Sequence, residues 1–175
     1  MKTRKLVPLT FVGAVLAFSL PARGDTMSVP SAANTAYTLE VPSNWKPIGD
    51  PSDESVEATS PDDHAYVMAW IVKDSDDSEQ KALRKDLDAT LKDSMKSIDG
   101  KPAMHELDQN GTHFYVFNGT GVDKREGTKV KFLVGVFSAG GDYAGVVYAD
   151  ASADAPESTM NVLEGILKSI KVTKK

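Results

Sequence analysis

The stretch Ala65–Val72 reads Ala-Tyr-Val-Met-Ala-Trp-Ile-Val, apolar on both parities of an extended chain. A strand turns alternate side chains to opposite faces, so a strand with no polar face must be covered on both. The fold therefore has to put one layer above this segment and one below, and has to place it inside a sheet. A second segment makes the same demand. Over about 128–138, Val130, Phe132, Val134 and Val136 share one face while Leu133 and Phe137 take the other.

Two amphipathic segments can supply the covering layers. Leu83, Leu87, Leu91, Met95 and Ile98 recur at i+4 and i+3 spacing, which predicts a helix over about 78–98. Asp77 with Gln80 forms a capping box at its start, and Arg84, Asp88 and Lys92 pair along its exposed side. Gly100 and Pro102 stop it. Met160, Leu163, Ile166, Leu167 and Ile170 mark a second helix over about 155–171. Asp154 and Glu157 are its expected cap, Pro156 falls in its first turn, and Lys171, Lys174 and Lys175 suit its negative end.

Further strands follow from alternation and turn chemistry. Tyr37, Leu39 and Val41 define one at about 36–41, ended by Pro42-Ser43-Asn44-Trp45, with Trp45 and Ile48 expected to pack on the sheet end. A short strand is expected at 55–59. Asn110-Gly111 supplies the residues of a type I′ hairpin between strands at about 103–109 and 112–121. That register sets Leu107 opposite Phe114 and Asp108 opposite His113. Gly140-Gly141-Asp142 turns the chain into a last strand, Tyr143–Asp150. The expected fold is α+β: a three-layer α/β/α sandwich with a largely antiparallel sheet and two main helices.

The N-terminus has a different character. Lys2, Arg4 and Lys5 precede the apolar run Leu6–Leu20, and Pro21-Ala22-Arg23-Gly24 offers small residues at the positions of a cut before Asp25. This is the form of a Sec-type secretory signal peptide spanning 1–24, and the run falls short of the roughly 20 apolar residues of a spanning helix. Residues 25–35 are small and polar and read as a flexible leader; 36–172 read as one domain. The 175 residues include no cysteine, which excludes a disulfide scaffold, a thiol enzyme, an iron–sulfur cluster and an acylated N-terminal cysteine. The expected product is thus periplasmic or secreted, bacterial, and without a stable membrane anchor. Loss of Lys2, Arg4, Lys5 and Arg23 from a total of 20 basic residues leaves 16 against 25 acidic ones, net −9. Such a balance disfavours nucleic acid and anionic membrane surfaces.

The layout, with Tyr-Thr-Leu-Glu-Val-Pro-Ser-Asn-Trp at 37–45 and Ile-Leu-Lys-Ser-Ile-Lys-Val at 166–172, resembles the PsbP-like superfamily. Pro42 and Trp45 match its Pro-x-x-Trp opening, and Ile166, Leu167 and Ser169 match its Ile-Leu-x-Ser ending. The resemblance spans about 36–172 and rests on packing residues. It implies an antiparallel α/β/α fold and a mostly non-catalytic, protein- or ligand-binding role, and it carries over no catalytic residue.

Candidate chemistry is sparse. His105 falls on one face of the hairpin with Leu107, Phe114 and Val116, and His113 on the other with Glu106, Asp108 and Tyr115. The two cannot share a metal, and no metal site is expected. His113, Asp108 and Tyr115 are the candidate binding residues, with a solvent-facing cross-strand pair as the simpler account. Asp74, Asp76, Asp77 and Glu79 lack the glycine and distal glutamate of a calcium loop. Gly140-Gly141 joins two strands and so is no phosphate cradle. Trp45, Trp70, Tyr66 and Tyr148 fit a core more simply than a pocket lining. No cofactor is expected. The expected function is a secreted, non-enzymatic binding module whose partner is another envelope protein or a small ligand. Two alternatives are an immunity or inhibitor protein for a secreted enzyme, suited by its acidity to a basic partner, and a small hydrolase with a site near His113.

Overall fold

Residues 24–48, 55–73 and 79–173 are described by the computed structural model. Residues 1–23 of the segment expected to be a signal peptide, and the acidic run 74–78 with Asp77, lie outside the described residues. Alternating burial organises the centre of the molecule. Strands β5 (Ala65–Lys73), β8 (Thr112–Asp123), β9 (Lys129–Gly140) and β10 (Tyr143–Ser152) join β3 (Lys46–Ile48) and β4 (Ser55–Thr59) in the order β3-β4-β5-β10-β9-β8. β6 (Met95–Ile98) and β7 (Ala103–Gln109) share the outer edge of β8, which gives this sheet eight strands among the described residues. Every pairing is antiparallel, and β5 lies inside the sheet between β4 and β10, as its two-sided apolarity demands.

Each face of this sheet has its own core. On one face, Val130, Phe132, Val134 and Val136 of β9 pack with Val146 and Tyr148 of β10 and with Leu87 and Leu91 of helix α1 (Glu79–Ser94). On the other, Leu133 and Phe137 of β9 pack with Phe114, Val67, Val147 and with Leu163, Ile166 and Leu167 of helix α2 (Glu157–Lys168). A small sheet shares the α2 layer: β1 (Gly24–Val29), β2 (Tyr37–Pro42) and β11 (Lys171–Val172), in the order β1-β2-β11. Its Tyr37 is fully buried, edge-on to Phe137 at 4.9 Å, with its hydroxyl 3.0 Å from the carbonyl oxygens of Trp70 and Val146. α2 comes so near the sheet that a Cβ at Gly135 would lie 2.3 Å from Leu167 Cδ2. The three-layer α/β/α arrangement is therefore present, with a second sheet beside one of the helices.

Several boundaries differ from the sequence expectation. Residues 25–35, expected as a flexible leader, form β1 and a 3-10 turn at Ala32–Asn34. β1 pairs with β2 from Gly24↔Pro42 to Val29↔Tyr37, and Val29 is fully buried. The helix expected over 78–98 ends at Ser94, and Met95–Ile98 instead pair with β8 as β6. Glycine makes this possible, since a Cβ at Gly121 would stand 2.3 Å from the Ser97 carbonyl oxygen and 2.6 Å from Met95 Cε. The second helix covers Glu157–Lys168, not 155–171, because Lys171 and Val172 are drawn into pairing with Thr38 and Tyr37. Its N-cap is Pro156 with no side-chain cap bond, so Asp154 does not cap it. Trp45 is buried as expected, but Ile48 is 41% exposed on the short edge strand β3, where every residue faces solvent.

Candidate functional site

The hairpin forms as the Asn-Gly turn dictates. Asn110 and Gly111 take φ of 53° and 76°, and Asp108 pairs with His113 across the strands. His113 Nδ1 lies 2.8 Å from Asp108 Oδ1 and Nε2 lies 3.9 Å from Glu106 Oε2. Tyr115 meets the imidazole edge-on at 5.0 Å. The structure thus brings together the three residues singled out from the sequence and adds Glu106. The His113 and Asp108 side chains are 43% and 86% exposed, so water screens the pair. His105 points to the opposite face, where it lines a cavity of about 240 Å³ with Val116, Met160 and Leu167. His64 sits far along the sheet, its Nδ1 3.3 Å from Ser152 Oγ. Among the described residues no group of three or more His, Asp or Glu side chains could hold a metal ion.

A second polar cluster lies at the end of the sheet on the α1 face. Asp150 is buried in β10, and the Tyr148 hydroxyl donates to its Oδ2 at 2.9 Å and stands 3.3 Å from Met95 Sδ. Burial pushes the Asp150 carboxyl up to about 6, against the opposing effects of the Tyr148 hydroxyl and Arg125. Arg125 reaches across from the β8–β9 connection and stacks 4.3 Å above the Tyr66 ring, whose hydroxyl donates to Glu57 Oε2 at 2.6 Å. Burial raises the Tyr66 and Tyr148 hydroxyls far above the ordinary phenol range. The connection itself is organised by Asp123. Burial alone would raise this carboxyl, but the N–H groups of Glu126, Gly127 and Thr128 and the Thr128 hydroxyl all donate to it, and the net displacement is downward. Nothing in the sequence marked Arg125, whereas a lone aspartate inside the apolar run of β10 was a visible signal.

A groove of about 630 Å³ lies between the C-terminal half of α1 and the β6, β7 and β8 edge. Leu87, Leu91 and Met95 form its buried base, Ile98 and Phe117 are half-buried in its wall, and Met104 is 47% exposed at its rim. Its charged lining consists of Lys92, Lys96 and Lys101 against Asp88 alone among the described residues. The helix-to-strand change at Met95 creates it, because the chain leaves α1 along the sheet edge and returns through Gly100, at φ 75°, into β7. The sequence supplied each of these residues, but their convergence depends on a pairing between segments far apart in the chain.

The sequence matches no protein-family model and no curated protein. Similar solved structures do exist. One is a crystal structure from Bacteroides thetaiotaomicron, with TM-score 0.58 and 13% identity, matching 89% of this chain and 50% of that one. Another is LpqN of Mycobacterium tuberculosis, described as involved in cell envelope biogenesis, with TM-score 0.57, 16% identity, and coverage of 86% and 85% of the two chains. This chain thus spans half the length of the Bacteroides protein. At such identities the likeness is one of fold, and it is compatible with the PsbP-like arrangement that the sequence resembles.

Proposed function

We propose that this chain is an exported, envelope-located protein that acts by binding, not by catalysis, and that the groove between α1 and the β6–β7–β8 edge holds its ligand. The groove carries the reading. Its volume of about 630 Å³ falls in the roughly 300–1,000 Å³ range of small-molecule sites. Its base is buried aliphatic surface, while the histidine cluster stands on an open sheet face. Export is supported by the basic start, short apolar run and small residues that end at Gly24. The structural neighbour described in connection with envelope biogenesis supports the location.

Met104 tests the assignment without disturbing the core, because its side chain stands at the rim. The neutral dye Nile red should fluoresce on binding to the purified protein. Met104→Asp should cut that signal at least fivefold while the thermal unfolding midpoint stays within about 2 °C, the range expected of a surface change. Equal dye binding by both proteins would remove the groove as the site.

A further inference from the structure

We infer that the groove is built for a long-chain carboxylate, with the acyl chain on the Leu87–Leu91–Met95–Phe117 surface and the carboxylate among Lys92, Lys96 and Lys101. This rests on the binding reading above and adds the chemical class of ligand. Three cations at one groove are unexpected on a chain of net charge −5. They come from three separate places: the last turn of α1, strand β6, and the connection into β7. Among the described residues none of the three forms an ion pair, although surface lysines elsewhere do so, as Lys168 does with Glu164 and Lys171 with Glu40.

The local field also needs these lysines if an anion is to sit there. The C-terminus of a helix carries partial negative charge and repels a carboxylate. α1 ends beside the groove, and two lysines counter that end: Lys92 in the final turn, and Lys124, whose Nζ donates to the Lys92 carbonyl oxygen. The apolar part then sets the rest of the ligand. Met104, Ile98 and Pro102 leave aliphatic surface in contact with water, and a flexible acyl chain covers an irregular wall that includes two methionines. Net acidity keeps the molecule as a whole off anionic bilayers, so a single dissolved amphiphile is a better occupant than a membrane surface.

The experiment compares dodecanoate with its methyl ester, at pH 8 and below micelle-forming concentrations, by displacement of Nile red from the purified protein. Dodecanoate should bind at least tenfold more tightly than the ester, and each methylene removed from its chain should weaken it about fourfold. Raising salt from 0.1 to about 0.5 M should narrow the gap. The double variant Lys96→Gln, Lys101→Gln should lose about tenfold for dodecanoate and nothing for the ester. Equal affinities for acid and ester would overturn the charged part and leave the binding reading in place. Tighter binding of lysophosphatidylcholine or of an acidic amphipathic peptide would overturn the carboxylate as occupant. Failure of every amphiphile, with dye binding unaffected by Met104→Asp, would bring down the binding reading itself.

Discussion

Asp150 lies in a strand whose residues from Ala144 to Ala151 are all buried, and its carboxylate has the Tyr148 hydroxyl as its hydrogen-bond donor at 2.9 Å. Burial displaces its titration to about 6, which fixes the sign of its effect on stability. An acid whose folded pKa exceeds its unfolded value of about 3.9 holds its proton more tightly in the folded state. Stability contributed by this group is therefore complete below pH 4 and is lost as pH rises toward and past 6. A displacement of about two pKa units is worth at most roughly 3 kcal/mol. Asp150→Asn should accordingly raise stability at pH 7.5 by about 1–2 kcal/mol, since the amide oxygen can still accept from Tyr148, and should flatten the profile between pH 4 and 6. Urea unfolding at a series of pH values measures both effects; an unchanged slope would show that Asp150 titrates normally. Arg125 moderates the same group from above the Tyr66 ring, so Arg125→Gln should move the titration of Asp150 further upward.

At the scale of elements, the hairpin shows which features a sequence announces. A two-residue turn is decided by the local conformations of Asn110 and Gly111, and so its register, the pairing of Asp108 with His113 and the segregation of His105 were all readable in advance. The end of α1 was not. Met95 and Ile98 continue the helical stripe in spacing, yet the choice between helix and strand rests on Gly121, which lets β6 approach β8. The groove was illegible for the same reason: it exists only once that distant pairing has redirected the chain. The hairpin tip also does long-range work that local spacing hides, because Asn110 Nδ2 donates to the Ile170 carbonyl oxygen at 2.9 Å and so ties the tip to the residues after α2. Asn110→Ala puts at φ 53° a residue that tolerates the left-handed region less well than asparagine, removes that bond, and should cost about 2 kcal/mol. Asn110→Gly relieves the backbone alone and should recover about half. Equal losses in thermal unfolding would assign the whole effect to the hydrogen bond.

At the scale of the whole molecule, the small sheet closes the α2 face by joining the two ends of the domain. β1 and β11 flank β2, and Thr173 donates through both its backbone N–H and its hydroxyl to the Ala36 carbonyl oxygen. β1 supplies Val29, fully buried, and its carbonyl oxygen accepts the Ala36 N–H at 2.7 Å. Under the export proposed above, a strand that begins at Gly24 constrains where processing would cut. Cleavage before Asp25 removes one residue of β1 and keeps every pairing from Asp25↔Val41 onward, whereas a cut beyond Val29 leaves β2 with β11 alone as its partner. Mass spectrometry of the exported form should therefore give an N-terminus at Asp25 or close before it. A chain started at Ala36 loses five paired residues, the buried Val29 among them, worth roughly 4 kcal/mol, and should melt about 10 °C below one started at Asp25. The same melting temperature for both would mean that β1 adds nothing to the fold, and that residues 25–35 behave as the loose leader their composition suggests.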